Sequence, residues 1–129
     1  MSEHSEQVAF VEWCEWQHVP VFAIPNGGSR NKLEAVNLKR EGVRSGVPDL
    51  FIPVARNGYH GLFIEMKFGR NKPTPAQETW MSVLTSMGYQ TAVCWSCDAA
   101  IKVVNNYLDY TNKTAHAGVY SPVSGKENT

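Results

Sequence analysis

The fold of this chain is decided by one segment, Pro48-Asp-Leu-Phe-Ile-Pro-Val-Ala-Arg-Asn-Gly-Tyr-His-Gly-Leu-Phe-Ile-Glu-Met-Lys67. Two runs of strand-forming residues, 48–52 and 61–67, flank the turn signal Arg56-Asn-Gly58. A short polar turn with glycine between two apolar runs predicts a β-hairpin. The two strands are therefore expected to be antiparallel neighbours, with the rest of the sheet built around them.

Three polar side chains are expected at one end of this hairpin. Residues two apart in a strand share a face, so Glu65 and Lys67 should lie side by side, and the turn brings Asp49 near them. Two carboxylates at adjacent strand ends suit Mg²⁺ or Mn²⁺, and the Met66 carbonyl can add a ligand. Such an ion activates water and binds a phosphate oxygen, while the lysine orients the water or stabilises charge on the phosphate. The alternative is an exposed Glu65–Lys67 ion pair, which the spacing by itself favours. The order of the surrounding elements favours the metal site.

Hydrophobic periodicity and turn residues predict the other elements. They are a helix over 4–17, a strand over 21–24, a turn at 25–28, a polar helix over 30–41, a strand over 90–95 and a last helix to about 110. Asp98 is expected to cap the last helix, with Ile101, Val104 and Leu108 turned inward. This order gives a mixed sheet flanked by helices, an α/β sandwich.

The helix after the hairpin has the clearest boundaries. Thr74 can cap its start, Pro75 suits the first helical position, and Gln77 completes a capping box. Gly88 ends this helix. Helical spacing predicts a buried stripe along it, formed by Ala76, Trp80, Leu84 and Met87.

The composition indicates one globular domain without the excess of basic residues that is usual in nucleic-acid binders. The 129 residues are 43% hydrophobic and carry a formal net charge of zero. The charge is unevenly placed, however, because basic residues cluster over 30–44 and again over 67–72. Few large apolar residues follow Thr111, so we place the domain at 1–112 and a loosely held tail at 113–129.

The cysteines and the absence of long apolar runs indicate a reduced, intracellular, cytoplasmic protein. Cys14, Cys94 and Cys97 are odd in number, and no signal peptide precedes them. No apolar run approaches the roughly 20 residues needed to span a bilayer. Cys94-Trp-Ser-Cys97 matches C-x-x-C but lacks a second ligand pair, so buried thiols are the preferred interpretation.

The motifs in this order resemble the PD-(D/E)xK nuclease superfamily, and more closely its virus-type replication-repair nuclease (VRR-NUC) domain. The specific part of the resemblance is Gly42-Val-Arg-Ser-Gly-Val-Pro-Asp49 followed by Ile64-Glu-Met-Lys67. Supporting matches extend from about residue 3 to 110: Glu3-His-Ser-Glu-Gln7, Ile24-Pro-Asn-Gly-Gly28, Leu38-Lys-Arg-Glu41, Gly69-Arg70, Gln77 and Met87-Gly-Tyr89. The resemblance implies a restriction-endonuclease-like core and leaves open a phage or prophage origin.

The resemblance also implies roles for individual residues. Asp49 and Glu65 look like the metal-binding carboxylates, and Lys67 looks like the catalytic lysine. Gln77 matches a family glutamine that contacts the lysine, the substrate or a metal-bound water, although the capping box explains it equally well.

A carboxylate from the first helix completes the metal site in the family. Glu3 fits this role best because Gln7 follows one helical turn later, and Glu6 is the competitor. Helix geometry separately places Glu3 near the middle of the apolar face, where a carboxylate needs a partner.

Basic residues around the acidic site are candidates for DNA contact. Arg44 and Arg70 flank the site and are expected to hold DNA phosphates, with help from Lys39, Arg40 and Lys72. The competing interpretation for any one of them is a solvated surface charge.

The predicted function is Mg²⁺- or Mn²⁺-dependent hydrolysis of DNA phosphodiester bonds, with a 5′-phosphate product implied by the resemblance. Stand-alone members of this domain resemble Holliday junction resolvases, which implies branched DNA as the substrate and a homodimer with two symmetry-related active sites. Trp16, Tyr59 and the apolar part of the last helix are candidates for the dimer interface. The alternatives are a flap, nicking or restriction-type nuclease and a DNA-binding module without turnover.

Overall fold

The fold is seen in a computed structural model that describes residues 1–25 and 31–109. These residues form four helices and four strands, in the order α1 (Glu3–Trp16), β1 (Phe22–Ala23), α2 (Lys32–Arg40), β2 (Leu50–Ile52), β3 (Leu62–Met66), α3 (Pro75–Ser86), β4 (Gln90–Cys94) and α4 (Cys97–Leu108). The predicted order of elements is confirmed. Most of the predicted turn at 25–28 and the whole predicted tail at 113–129 lie outside the described residues.

The strands form one mixed sheet in the order β1-β2-β3-β4. The β1–β2 and β2–β3 pairs are antiparallel, and β3–β4 is parallel. The predicted hairpin turn is confirmed, since Asn57 and Gly58 both have positive φ, 55° and 85°. Leu50 pairs with Ile64 across the hairpin. This register carries Asp49 to the end of β3.

The hydrophobic core lies on the sheet face that α1 and α4 cover. Its fully buried side chains include Phe10 and Cys14 of α1, Leu50, Ile52, Leu62, Ile64 and Met66 of the hairpin, and Val104 and Tyr107 of α4. The opposite face carries α3, where the Thr85 hydroxyl lies 3.2 Å from the Thr91 hydroxyl of β4. Helices on both faces confirm the predicted α/β sandwich.

The predicted buried stripe of α3 is wrong in part. Trp80 and Leu84 are half-buried, but Ala76 and Met87 are exposed, and α3 has no fully buried residue. The reason is that α1 and α4 complete the core on the other face of the sheet, so α3 makes only a shallower contact.

The start of α4 also differs from the prediction. Ser96, rather than Asp98, is the cap, because its hydroxyl accepts a hydrogen bond of 3.0 Å from a first-turn amide. Asp98 instead lies inside the first turn. Val104 is buried as predicted, whereas Ile101 and Leu108 are half-buried at the edge of the core.

The polar helix α2 is confirmed and lies on the outside of the domain. The Asn31 side chain caps it by accepting a hydrogen bond of 2.8 Å from the Glu34 amide. No side chain of α2 is buried, and Leu33 and Val36 remain exposed. Within 1–25 and 31–109, no helix is both long enough and apolar enough to cross a membrane.

Candidate active site

Glu65 and Lys67 are buried at the end of β3 rather than exposed to solvent. Lys67 Nζ lies 3.8 Å from Glu65 Oε2. Glu65 is 2% exposed and Lys67 is 8% exposed, so the alternative of a surface ion pair is wrong. Removing two charged groups from water costs free energy that one ion pair often fails to recover. Such a pair is typical of a functional site.

Two hydrogen bonds hold Asp49, one from the end of β3 and one from the residue after β1. Its carboxylate oxygen Oδ2 accepts a bond of 2.8 Å from the Met66 amide. Its backbone carbonyl accepts a bond of 2.8 Å from the Ile24 amide, next to the β1–β2 pairing. The bond from Met66 fixes the Asp49 carboxylate near Glu65, whose pKa its charge raises.

Burial and the nearby Asp49 carboxylate disfavour the ionised form of Glu65. Burial is the largest cause that raises the pKa of Glu65 to about 8, followed by the charge of Asp49. The charge of Lys67 lowers this pKa, and that of Glu3 raises it further. Glu65 Oε1 is buried without a hydrogen-bond partner in the described part of the chain. The positive charge of Lys67 therefore does not offset burial and the nearby negative charges, and one Glu65 oxygen has no partner in this part of the chain.

These properties fit a hard divalent cation. Asp49 and Glu65 offer carboxylate oxygens, and a cation would offset the repulsion between them. Over residues 1–25 and 31–109, no three His, Cys, Asp or Glu side chains converge into a ligand set. An ion held by this pair would complete its coordination with water and backbone oxygens, as Mg²⁺ commonly does. Ligation by the Met66 carbonyl stays a prediction.

Gln77 connects the start of α3 to this centre. Its side-chain Oε1 accepts a hydrogen bond of 2.9 Å from the Thr74 backbone amide, and its backbone amide donates to Thr74 Oγ1 at 3.2 Å. The capping box therefore forms as predicted. Gln77 Nε2 donates a bond of 3.0 Å to Glu65 Oε2. One side chain therefore both caps the helix and restrains Glu65. The structure shows this contact with Glu65 rather than one with Lys67.

The two competing carboxylates of α1 have different surroundings. Glu6 is buried, and its Oε1 accepts a hydrogen bond of 2.8 Å from the amide of Cys97, the first residue of α4. Glu3 is only half-buried, and its charge acts on the pKa of Glu65. Glu6 thus ties α1 to α4, whereas Glu3 lies near enough to influence the acidic centre. Metal ligation by Glu3 stays a prediction.

Gly46 lets the loop before Asp49 pack closely on α3, a role that the sequence pattern did not predict. A Cβ atom built at Gly46 would lie 2.7 Å from the backbone carbon and oxygen of Ala76, and its φ of +95° also favours glycine. The loop that leads to Asp49 therefore packs directly on the first turn of α3, beside Gln77. The available signal was the glycine inside the segment 42–49.

The predicted DNA-contacting residues fall into two groups. Arg70 and Lys72 are exposed in the loop between β3 and α3, directly after the buried lysine. Arg44 Nη1 donates a hydrogen bond of 2.7 Å to the Lys39 carbonyl and so closes the end of α2, where Lys39 and Arg40 are also exposed. The first group adjoins the acidic centre along the chain, and the second lies on and after α2.

The fold and the site together place the chain in the restriction-endonuclease-like class of nucleases, whose core is a mixed sheet with an acidic residue before one hairpin strand and Glu-x-Lys on the next. Comparison with protein families makes the assignment specific. The model of the VRR-NUC domain matches residues 1–98, and the chain belongs to this family. The predicted family and fold class are confirmed.

Solved structures of similar proteins share this fold. A VRR_NUC domain protein is 33% identical over 84% of this chain and 88% of its own, with a TM-score of 0.73. Another structure, described as a VRR_NUC domain, is 23% identical over 83% of this chain and 99% of its own, with a TM-score of 0.58, and supports the fold alone. No curated protein matches this chain.

Glu65→Gln is expected to stabilise the metal-free protein at alkaline pH. Folding raises the Glu65 pKa from 4.5 to about 8, so ionisation of Glu65 opposes folding, and stability falls as the pH rises through this interval. In EDTA, urea unfolding should show the variant to be more stable by about 1–3 kcal/mol at pH 9 and similar to the wild type near pH 4. Glu78→Gln, at an exposed site on α3, is the control. The same difference at both pH values would contradict this prediction.

Glu6→Ala is expected to lower the free energy of unfolding by about 1–3 kcal/mol, because the amide of Cys97 loses its partner in a partly buried position. Glu6→Gln keeps an oxygen acceptor and should retain most of the stability. Glu12→Ala, on the exposed side of α1, should change it by no more than about 0.5 kcal/mol. Equal losses in the Ala and Gln variants, measured by urea unfolding, would show that the hydrogen bond is not what matters.

Proposed function

We propose that this chain is a metal-dependent DNA endonuclease that hydrolyses phosphodiester bonds. The observation that carries the proposal is the buried centre of Asp49, Glu65 and Lys67, in which one carboxylate oxygen has no partner among the described residues. Membership of a nuclease family supports the class of reaction. The exposed Arg70 and Lys72 beside the centre support DNA phosphates as the binding partner.

The residues of the centre have separable tasks in this proposal. Mg²⁺ or Mn²⁺, held by Asp49 and Glu65, would supply charge neutralisation and activation of water. Lys67, whose Nζ lies 3.8 Å from Glu65 Oε2, would orient that water or stabilise charge that develops on the phosphate. The Met66 amide holds Asp49 and Gln77 holds Glu65, so neither carboxylate has to reorganise during the reaction. In-line attack is expected to leave a 5′-phosphate.

The finer proposal is a homodimer that resolves Holliday junctions in branched DNA. Symmetric cutting of a four-way junction requires two active sites related by a two-fold axis. Exposed apolar side chains support a protein–protein contact, since Trp16 is 82% exposed and Leu33 is 72% exposed. Tyr59 was also predicted for the dimer interface. This prediction is wrong, because Tyr59 is buried, with its ring centroid 6.3 Å from that of Tyr107. The apolar side of α4 is likewise taken up by the core.

We also propose a reducing, intracellular compartment for the protein. Cys14, Cys94 and Cys97 are all free thiols. Burial raises the pKa of Cys14 and Cys94 to about 12, which keeps these two thiols protonated and unreactive. Small secreted domains more often carry disulfides.

Lys67→Ala is expected to lower metal-dependent DNA cleavage by at least about 10²-fold, because a positive charge aimed at the reacting phosphate is lost. The assay compares labelled four-way junction, flap, single-stranded and duplex DNA in Mg²⁺, Mn²⁺ or EDTA. Lys102→Ala, at an exposed position on α4, is the matched control and should cut like the wild type. Circular dichroism establishes that both variants fold.

The products distinguish the possible nucleases. Paired symmetric nicks on the junction would support the resolvase, and single cuts near a branch would support a flap or nicking enzyme of the same chemistry. No cleavage of any substrate by folded wild-type protein would contradict the proposal and favour a DNA-binding module without turnover.

A further inference from the structure

Trp95 is a large exposed ring directly after β4, the strand that pairs with the strand of the acidic centre. Glu65 pairs with Val93 in the parallel β3–β4 ladder. The ladder continues one step further, since the Lys67 amide donates a bond of 2.9 Å to the Cys94 carbonyl. Val93 therefore shares the face of Glu65, and Trp95 comes directly after Cys94, the last residue of β4.

The position of the Trp95 ring is fixed by the loop between β3 and α3. Its indole Nε1 donates a hydrogen bond of 2.8 Å to the Asn71 carbonyl. The side chain is nevertheless 42% exposed. Its single polar atom is satisfied by the protein, so what it offers to a ligand is an apolar aromatic surface.

Two exposed basic residues adjoin, along the chain, the residue that holds this ring. Arg70 and Lys72 are the chain neighbours of Asn71, whose carbonyl holds the indole, and both are exposed. An aromatic ring bordered by cations is the combination that proteins use for unpaired nucleotides: the ring stacks on a base while the cations hold the neighbouring phosphates.

We infer that Trp95 stacks on an unstacked base of the DNA next to the phosphodiester that is cut, with Arg70 and Lys72 on the adjoining phosphates. A base inside an intact duplex is already stacked on both sides, so the ring contributes to binding only where bases are unpaired or splayed. The substrate class is therefore DNA with an open base at the cleavage point, such as a branch or a flap. This inference rests on the proposed nuclease function and specifies its substrate.

The first experiment compares binding by Trp95→Ala, Trp95→Phe and the wild type, in EDTA so that the DNA stays intact. The ligands are a flap with unpaired bases and a perfect duplex of the same length. We expect Trp95→Ala to bind the flap about 10-fold more weakly, Trp95→Phe to keep most of the affinity, and all three to bind the duplex alike. Val8→Ala, at an apolar residue of α1 with the same exposed fraction of 42%, is the matched control and should bind like the wild type.

The second experiment locates the stacked base. The cleavage position on the flap is mapped with the wild type and Mn²⁺, and each base within three nucleotides of it is replaced in turn by an abasic nucleotide. Wild-type affinity should fall at one position, and Trp95→Ala should not respond to the abasic nucleotide there.

The outcomes distinguish a failure of the Trp95 inference from a failure of the proposed nuclease function. Cleavage by the wild type together with unchanged flap binding by Trp95→Ala overturns the inference alone. Equal losses of affinity by Trp95→Ala for the flap and the duplex also overturn the inference, because they indicate a general structural effect. The inference is likewise overturned if Trp95→Ala still loses affinity when the abasic nucleotide is introduced. No metal-dependent cleavage by the folded wild type overturns the nuclease function and the inference with it.

Discussion

The hydrogen bond of 2.8 Å from the Met66 amide to the Asp49 carboxylate joins two strand ends that have to meet for the site to exist. It is possible only in the observed hairpin register, which the tight turn at Asn57-Gly58 helps to set. A slip of one residue would turn Glu65 and Lys67 toward the apolar core on the other side of the sheet. The register that builds the core and the register that builds the site are therefore the same.

The assembled centre is unfavourable for the stability of the metal-free protein, and the surrounding structure compensates. Burial and like charge raise the pKa of Glu65 to about 8. Two contacts hold it together nonetheless: Gly46 packs on the start of α3, and Gln77 bonds Glu65. Unfavourable burial and repulsion of charge are commonly retained where they serve binding or catalysis. A divalent cation held by Asp49 and Glu65 would offset this repulsion.

The local parts of the site could be predicted from the sequence because their signals are local. The spacing of Glu65 and Lys67 fixes their shared face, and the capping box of Gln77 needs only a few neighbouring residues. The contact between Gln77 and Glu65, and that of Glu6 with α4, could not be predicted, because they depend on how helices dock on the sheet. For the same reason periodicity along α3 predicted burial for Met87, which is exposed because the core lies on the other face.

The central claim is that the two carboxylates are kept together for a divalent cation. Titration calorimetry with Mn²⁺ at pH 7, in two buffers of different ionisation enthalpy, measures binding and proton release together. We expect saturable binding with net release of protons, because the raised pKa of about 8 keeps a proton on Glu65 in the metal-free protein. Asp49→Asn should lose most of this binding. No binding by the folded wild type, or equal binding and proton release by Asp49→Asn, would contradict the claim.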